Sequence, residues 1–293
     1  MLPNKVSRGI NEFFAEEDIL DFSIRKVRRA GGGDINEAAL LETTEGLFFV
    51  KWNSASRFPD MFKREAEGLN MLRSAEEIAI PLPLHYDEID GIGFLLMEAV
   101  EQGPKEQGFW FKFGMQLSEL HKHSSESFGF DSDNYIGSLV QQNRRMNSWV
   151  DFFVEKRLEP QLRWATESNR TDKNLVSKFH KLFEKLDGYF PKEAPALLHG
   201  DLWNGNFMVN LQGQPVLIDP AVYFGHREMD LAMSKLFGGF SEDFYQGYHQ
   251  SFPLESGWNE RIDLCNLYPL LVHLNLFGSS YFHQIENILK NFV

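Results

Sequence analysis

The stretch that decides the fold is residues 197–230, LLHGDLWNGNFMVNLQGQPVLIDPAVYFGHREMD. Asp201 follows two apolar residues and a His-Gly pair, and Asn206 comes five positions later. A β-like apolar run, a turn around Gly213 and a second apolar run then lead to Asp219. A hairpin of this kind would hold Asp201, Asn206 and Asp219 near the same end.

These three side chains carry the groups that phosphoryl transfer requires. A carboxylate can take the proton of a hydroxyl, and an amide oxygen with a second carboxylate can hold a hard cation such as Mg²⁺. Residue chemistry therefore favours the hypothesis in which Asp201 is the general base. Asn206 and Asp219 would hold Mg²⁺ on the phosphates of ATP.

Two other kinds of site use parts of the same stretch. His199 and Asp201, together with His226, could begin a dinuclear metallophosphatase site. Such a site needs more His, Asp and Asn ligands in tight local motifs, and none stands out in the first half of the chain. A glycosidase-like pair of carboxylates would leave Asn206 and Lys51 without a role. Both alternatives stay open on residue chemistry alone.

The first third of the chain has the pattern of paired strands. Three segments are β-like: residues 23–29, 36–43 and 47–52. The first two are linked by Gly31-Gly32-Gly33-Asp34. A glycine-rich link lets backbone N–H groups approach a ligand without Cβ clashes, so the three glycines are candidates for contact with a phosphate. The link could equally be a hairpin turn, and it opens no helix as a dinucleotide-binding motif would.

A lysine and a glutamate follow in the order that a nucleotide site would need. Lys51 lies in the third predicted strand, and Glu65 lies in residues 57–72, where apolar side chains recur at helical spacing. A glutamate on such a helix can hold a strand lysine and aim it at phosphates. A buried-strand pattern over residues 93–100 then contains Met97-Glu98-Ala99.

The pattern changes after residue 98 and predicts a bilobal α+β fold. Residues 1–98 would form a small lobe with an antiparallel sheet that binds the nucleotide. Residues 99–293 would form a larger, mainly helical lobe with the catalytic loop, the metal site and the substrate pocket. Periodicity predicts helices in residues 1–20, 108–123, 147–164, 172–186, 231–237, 240–249 and 262–289.

Composition limits the partners of this chain. Its 293 residues have a net charge of −13, which argues against nucleic acid as a partner because phosphate neutralisation needs clustered Lys and Arg. The single cysteine, Cys265, excludes an intrachain disulfide and indicates a reducing compartment. No apolar run approaches transmembrane length, so we expect a cytoplasmic protein that uses no membrane.

The order of these elements resembles the protein-kinase-like fold. It departs from protein kinases in detail, because His-Gly-Asp replaces His-Arg-Asp, Asp-Pro-Ala replaces Asp-Phe-Gly, and no Ala-Pro-Glu segment follows. HGDLWNGN and IDPA instead resemble the small-molecule branch shared with aminoglycoside phosphotransferases. The chain is most similar to the fructosamine/ketosamine-3-kinase family, over about residues 30 to 283. The motifs that carry this resemblance are GGGDINEA, FGFDSDNYIGS, WVDFFVEKRLEPQL, LLHGDLWNGN and DPAVYFGHREMDLAMSKLFGGF.

The resemblance implies ATP-dependent phosphorylation of the sugar 3-hydroxyl of a ketosamine, free or protein-linked. The product is unstable and releases the amine, so the family acts in deglycation. By position, Asp201 would be the base, and Asn206 and Asp219 the Mg²⁺ ligands. Lys51, held by Glu65, would bind phosphate.

The family also implies contacts for the remaining motif residues. Met97, Glu98 and Ala99 would be the hinge that takes the adenine through backbone groups. Trp203 and His199 would lie beside the sugar. Asp34 departs from many relatives, which carry a small or polar residue there, and an acid so near ATP phosphates would be unfavourable unless it points away or meets Mg²⁺.

Two alternatives compete with a ketosamine kinase. One is a kinase for another small hydroxyl compound, such as an aminoglycoside or an amino alcohol. The other is a non-catalytic ATP-binding scaffold, which the intact set of Lys51, Glu65, Asp201, Asn206 and Asp219 argues against.

Overall fold

The computed structural model describes residues 2–31 and 35–293, and it forms two compact units. The first unit is the chain up to Gln107 together with Met208–Asp219. The second is Gly108–Phe207 together with Pro220–Val293. The predicted lobes divide after residue 98, whereas these units divide nine residues later, and the first unit also takes in a segment from the second half of the chain.

Backbone hydrogen bonds explain why Met208–Asp219 belongs to the first unit. The N–H of Gly103 donates to the carbonyl of Val209 at 3.0 Å, and the N–H of Glu106 donates to the carbonyl of Gly213 at 3.1 Å. These bonds satisfy the backbone of the segment that precedes the second unit.

The first unit is built on a five-stranded antiparallel sheet in the order β1-β2-β3-β5-β4. Its strands are β1 Ile24–Ala30, β2 Glu37–Thr43, β3 Gly46–Ser54, β4 Pro83–Ile89 and β5 Ile92–Glu98. The three predicted strands and the buried strand before the predicted hinge are confirmed, and β4 is an addition. The hairpin of β9 (Phe207–Val209) and β10 (Pro215–Leu217) also appears as predicted.

Strand alternation gives the two faces of this sheet different roles. Leu41, Val50 and Phe94 form an apolar core with Ile10 of the first helix, α1 (Asn4–Glu16). Because side chains alternate along a strand, residues one position away point to the opposite face.

The opposite face carries Lys51. This residue is paired across the sheet with Ala38 on one side and Leu95 on the other. The helix that carries Glu65 is α2 (Met61–Ser74), which begins four residues later than the pattern predicted. Pro59 precedes this start and Asp60 adopts a left-handed conformation, so the helix cannot extend back to residue 57 unchanged.

The second unit is mainly helical. Its helices are α3 Phe109–Lys122, α4 Trp149–Phe152, α5 Glu159–Glu167, α6 Lys173–Phe183, α7 Glu228–Leu236, α8 Glu242–Ser251, α9 Trp258–Phe277 and α10 Phe282–Phe292. A π-helical turn, Phe153–Leu158, joins α4 to α5. Two short antiparallel pairs complete it, β6 Asn134–Ile136 with β7 Leu139–Gln141, and β8 Ala196–Leu198 with β11 Tyr223–Gly225.

The long helical segment predicted over residues 262–289 contains two helices. α9 ends at Phe277, and Gly278 has φ of +96°, a conformation that favours glycine and stops the helix. A short 3₁₀ turn, Ser279–Tyr281, then leads into α10. Apolar periodicity runs through both helices and therefore conceals the break.

Glycine also permits the close packing of α3 against α8. A Cβ added at Gly114 would lie 1.9 Å from the carbonyl oxygen of Phe244, and one added at Gly247 would lie 2.1 Å from that of Phe111. Any larger residue at either position would force the two helices apart. Within residues 2–31 and 35–293, none of the helices has the length and apolar character needed to span a bilayer.

Candidate active site

Lys51 lies between two carboxylates in the first unit. Its Nζ is 2.6 Å from Oε1 of Glu65 and also contacts Oδ1 of Asp219. The side chains of Lys51 and Glu65 are 8% and 11% exposed, whereas that of Asp219 is 45% exposed. The contact between the strand lysine and the helix glutamate that the sequence predicts is therefore present.

The charges of this cluster shift its pKa values. Burial lowers the pKa of Lys51, but the charges and hydrogen bonds of Asp219 and Glu65 outweigh burial and raise it above its ordinary value. Burial also raises the pKa of Glu65; the charge of Lys51 opposes that rise and the charge of Asp219 adds to it. Lys51 therefore remains cationic at neutral pH, as a phosphate-binding lysine must.

Asp219 is held in an unusual backbone conformation at the end of the β9–β10 hairpin. Its φ is +54°, which costs a non-glycine residue about 1–2 kcal/mol. Strain of this kind is retained where the surrounding structure requires it, and functional sites are where such residues cluster. The conformation presents the carboxylate to Lys51.

In the second unit, β8 leads directly into the His-Gly-Asp turn. Gly200 has φ of +83°, and a Cβ there would lie 2.0 Å from the carbonyl oxygen of Ala221. The N–H of Ala221 donates to the carbonyl of His199 at 2.9 Å. The backbone of residue 221 therefore packs directly on the turn, and only glycine fits at position 200.

Asp201 and Asn206 meet within this loop. The side-chain nitrogen Nδ2 of Asn206 donates to the main-chain oxygen of Asp201 at 2.8 Å and to the carboxylate oxygen Oδ2 of Asp201 at 2.9 Å. Asp201 is partly exposed and Asn206 is buried. The five-residue spacing thus closes a loop in which the amide orients the carboxylate.

Asp230 fixes the start of the same loop. Its carboxylate accepts hydrogen bonds from the N–H groups of His199 at 2.8 Å and Gly200 at 2.9 Å. His121 lies 3.2 Å from Asp230 through Nε2 and 2.8 Å from the hydroxyl of Tyr248 through Nδ1. Burial alone would raise the pKa of Asp230. The hydrogen bond and charge of His121 outweigh burial, with smaller contributions from His199 and Gly200, so the pKa of Asp230 lies below its usual range.

Sequence reasoning missed part of this support. The family resemblance implies that Asp230 supports the loop, and His121 is predicted to have a capping or core role. No local pattern links His121 on α3 to the loop, because its contact with Asp230 spans 109 residues and its contact with Tyr248 on α8 spans 127.

The two residues predicted beside the sugar differ in exposure. Trp203 is 38% exposed; its ring contacts that of Phe237 edge-on at 5.9 Å and covers Gly205, where a Cβ would lie 2.3 Å from it. His199 is fully buried, and its Nδ1 accepts a hydrogen bond from the N–H of Asp201 at 3.3 Å. Trp203 thus offers a ring surface to solvent, and His199 lies inside the loop.

The predicted nucleotide contacts are described only in part. Gly31 is exposed, and a Cβ there would meet no atom within 4 Å, whereas Gly32, Gly33 and Asp34 lie outside the described residues. Met97 and Glu98 end β5, where Met97 is buried and Glu98 is exposed, and Ala99 follows the strand. The Glu98 side chain accepts a hydrogen bond from the N–H of Leu82 at 2.9 Å, which ties the end of β5 to the start of β4.

The donor atoms of Asn206 and Asp219 suit Mg²⁺. Both side chains offer oxygen, the ligand that this cation prefers. The side-chain nitrogen of Asn206 donates a hydrogen bond to Asp201, so the side-chain oxygen is the atom that Asn206 would present to a metal. Across the described part of the chain, no three or more His, Cys, Asp or Glu side chains are grouped to hold a metal ion.

Comparison with known proteins identifies the family. The family model described as fructosamine kinase matches residues 6–293. The chain belongs to the fructosamine kinase family. It is 40% identical to a probable ketoamine kinase of Enterococcus faecium, over 91% of this chain and 95% of the relative. It is 38% identical to the chloroplastic protein-ribulosamine 3-kinase of Arabidopsis thaliana, over 92% of this chain and 83% of that protein.

Solved structures agree with this family and with the predicted fold. A candidate fructosamine-3-kinase from Thermobifida fusca matches with a TM-score of 0.89 and 33% identity, over 99% of this chain and 98% of that one. An aminoglycoside phosphotransferase matches with a TM-score of 0.63 at 16% identity, which shows the protein-kinase-like fold alone. The chain is therefore an α+β kinase of this fold, a phosphotransferase that acts on a hydroxyl group and uses ATP.

Proposed function

We propose that this kinase transfers the γ-phosphoryl group of ATP to the sugar 3-hydroxyl of ketosamines, free or protein-linked, and so acts in deglycation. The observation that carries the proposal is the HGDLWNGN loop, in which Asn206 orients Asp201 and Asp230 holds the preceding backbone. Family membership supports the choice of a sugar-amine as acceptor.

Asp201 is the general base in this proposal. It accepts the proton of the acceptor hydroxyl as the hydroxyl oxygen forms a bond to the γ-phosphorus. The bond between that phosphorus and the bridging oxygen breaks, and ADP leaves with the electron pair. Asn206 supports this role because it keeps one carboxylate oxygen of Asp201 in a fixed direction.

Lys51 binds ATP phosphates in this proposal, and Glu65 holds it in place. A lysine with a raised pKa keeps its charge, and a fixed charge at the phosphates lowers the barrier more than a mobile one. Residues 31–33 would contact the phosphates and residues 97–99 the adenine, as the family resemblance implies.

Asn206 and Asp219 are the proposed Mg²⁺ ligands, on the basis of their motifs and their oxygen donors. When bound, the metal would neutralise charge on the phosphates. Lys51 contacts Oδ1 of Asp219, so the lysine and the proposed metal would share this carboxylate.

Trp203 is proposed to contact the sugar, because its ring is partly exposed two residues after the base. For His199 we propose support of the loop instead of substrate contact, because its side chain is fully buried. The predicted lobe functions, nucleotide binding in residues 1–98 and catalysis in residues 99–293, are retained as proposals. So is a cytoplasmic, reducing setting, on the basis of the single Cys265.

The test is ADP release with ribulosamine and fructosamine adducts against a panel of aminoglycosides and amino alcohols. We expect turnover with the sugar-amine adducts, phosphate on the sugar 3-oxygen by NMR, and slow release of the amine. Preferred turnover of an aminoglycoside or amino alcohol would assign a different acceptor. ATP binding without turnover of any acceptor would indicate a non-catalytic protein.

A further inference from the structure

The π-helical turn of the second unit buries an arginine that no part of the proposed mechanism uses. Arg157 is fully buried, and among the described residues no carboxylate lies within ion-pair distance of its guanidinium. Its Nε also has no hydrogen-bond partner in that part of the chain. A buried charge without a counter-ion is costly, and π-helical turns occur frequently at functional sites.

Neutral groups hold this cation. Nη1 donates to the carbonyl of Gln142 at 2.5 Å, and Nη2 donates to the side-chain oxygen of Asn143 at 2.8 Å. The guanidinium carbon lies 4.0 Å from the ring centroid of Tyr223 and 5.4 Å from that of Tyr268. Cation–π contacts and carbonyl dipoles therefore replace the missing carboxylate.

From Asn143 a chain of buried amides continues to β6 and β7. The nitrogen of Asn143 donates to the side-chain oxygen of Asn134 at 2.9 Å, and the nitrogen of Gln141 donates to the same oxygen at 2.8 Å. The hydroxyl of Tyr268 donates to the oxygen of Gln141 at 2.8 Å. These four side chains, which we call the amide network, are those of Asn134, Gln141, Asn143 and Tyr268. Each is at most 6% exposed, so each bond is made away from water.

The amide network ends on the backbone that packs against the catalytic turn. Asn134 donates to the carbonyl of Val222 at 2.8 Å, and Gln141 donates to the carbonyl of Ala221 at 3.0 Å. Ala221 is the residue whose N–H binds His199 and whose carbonyl abuts Gly200. A continuous path of contacts thus leads from Arg157 to the residue before the proposed base.

We propose that Arg157 is a positioning residue that, through the amide network, holds residues 221–222 against the His199–Gly200 turn and so keeps Asp201 in its catalytic orientation. The kinetic part of this inference rests on the proposed function. An alternative is that the arginine only stabilises the fold. The two roles predict different effects when the bonds of Arg157 are lost. A positioning role predicts that the His199–Gly200 turn is disturbed, whereas a stabilising role predicts that the whole unit is disturbed.

Hydrogen exchange tests the proposal without reference to any substrate. In the full-length Arg157→Met variant we expect the amides of residues 199–201 to exchange about tenfold faster or more, because their local opening becomes easier. Arg170→Met is the matched control, since Arg170 also donates to main-chain carbonyls, those of Leu274 and Asn275, but none on the path to the turn. An equal rise across the unit in both variants would overturn the proposal.

Kinetics then tests the same inference on turnover. A misplacement of about 1 Å can cost about 100-fold in rate, so we expect kcat of Arg157→Met to fall about 10- to 100-fold at an unchanged KM for ATP. Arg157→Lys keeps the charge but loses the forked donors and should restore little of the activity. Arg170→Met should keep the wild-type kcat. A wild-type kcat per folded molecule in both Arg157 variants would reduce the arginine to a stabilising residue.

A milder variant decides the case if Arg157→Met does not fold. Tyr268→Phe removes only the hydroxyl that donates to Gln141, and we expect faster exchange at residues 199–201 with a severalfold lower kcat. Unchanged exchange and unchanged kcat would overturn the proposal. If the wild-type protein turns over no ketosamine, the proposed function fails, but the exchange measurements still decide the role of Arg157.

Discussion

The two units hold their candidate functional groups by different means. In the first unit, Lys51 is held by two carboxylates, Glu65 from a helix and Asp219 from the end of a hairpin. In the second unit, the loop of Asp201 is held by a buried carboxylate that accepts backbone N–H groups, and by neutral amides. Charge organises the first site and directed hydrogen bonds organise the second.

This difference fits the roles proposed for the two groups. A lysine that binds phosphates needs a charge in the right place, and a point charge tolerates small displacements. A general base needs its oxygen lone pair aimed at one proton, and direction is what hydrogen bonds supply. Variants should therefore separate nucleotide binding from chemistry.

Asp201→Asn should have the largest effect and should be confined to chemistry. A general base contributes about 10²–10⁴-fold, so we expect kcat to fall by that order while the Kd for ATP is unchanged. Turnover assays and calorimetric titration with ATP measure the two quantities. Near-normal turnover would remove Asp201 from its role, and lost ATP binding would show that the two functions are not separable.

Lys51→Met should affect binding and turnover together. Loss of a preorganised charge at transferring phosphates lowers kcat by about 10²–10³-fold. The variant also leaves Glu65 and Asp219 without the cation that they share. We therefore expect both weaker ATP binding and a lower kcat.

Glu65→Gln is the matched variant for Lys51→Met. This variant keeps Lys51 and its contact with Asp219 but removes one of the two charges that hold the lysine. We therefore expect a smaller fall in kcat, of about tenfold. If Glu65→Gln were as severe as Lys51→Met, holding the lysine would matter as much as its charge.

Gly200→Ala tests how tightly the loop of the second unit is packed. The positive φ costs alanine about 1–2 kcal/mol, and the carbonyl of Ala221 at 2.0 Å from the added Cβ must also move. We expect a lower Tm and a lower kcat. Gly188→Ala is the control, because a Cβ there meets nothing within 4 Å, and its Tm should be unchanged or slightly raised.

Acidification should destabilise the second unit slightly through His226. Burial lowers the pKa of His226 below 6.5, although the charges of Glu228 and Glu193 oppose this; Arg227 and Arg261 lower it further. The unfolded chain then takes up a proton first as the pH falls. The stability contributed by neutral His226 is therefore fully present above pH 6.5 and is lost as the pH falls toward the folded-state pKa.

Thermal unfolding of wild type and His226→Gln between about pH 7.5 and pH 5 measures this contribution. We expect the Tm of the wild type to fall more steeply than that of the variant. The difference between the two curves isolates His226 from His273, whose pKa burial also lowers. Parallel curves would show that another group controls stability in this range.

Much of the fold could be predicted because its signals are local. The Lys51 strand, the Glu65 helix and the β9–β10 hairpin each follow from apolar periodicity and turn residues within about 20 positions. The break at Gly278 was missed because apolar periodicity runs through both helices. The division of the units could not be predicted in this way, since it depends on contacts between segments distant in the sequence.

The sequence by itself determined which chemical groups are present and on which elements they lie. Asp201, Asn206 and Asp219 favoured phosphoryl transfer over the other kinds of site, and the surrounding motifs indicated the family. Only the tertiary structure decided how the loop is fixed, because the bonds of Asp230 and His121 join segments that are distant in the sequence. The physical reason is that a hydrogen bond depends on distance and direction in space, and both are set by packing.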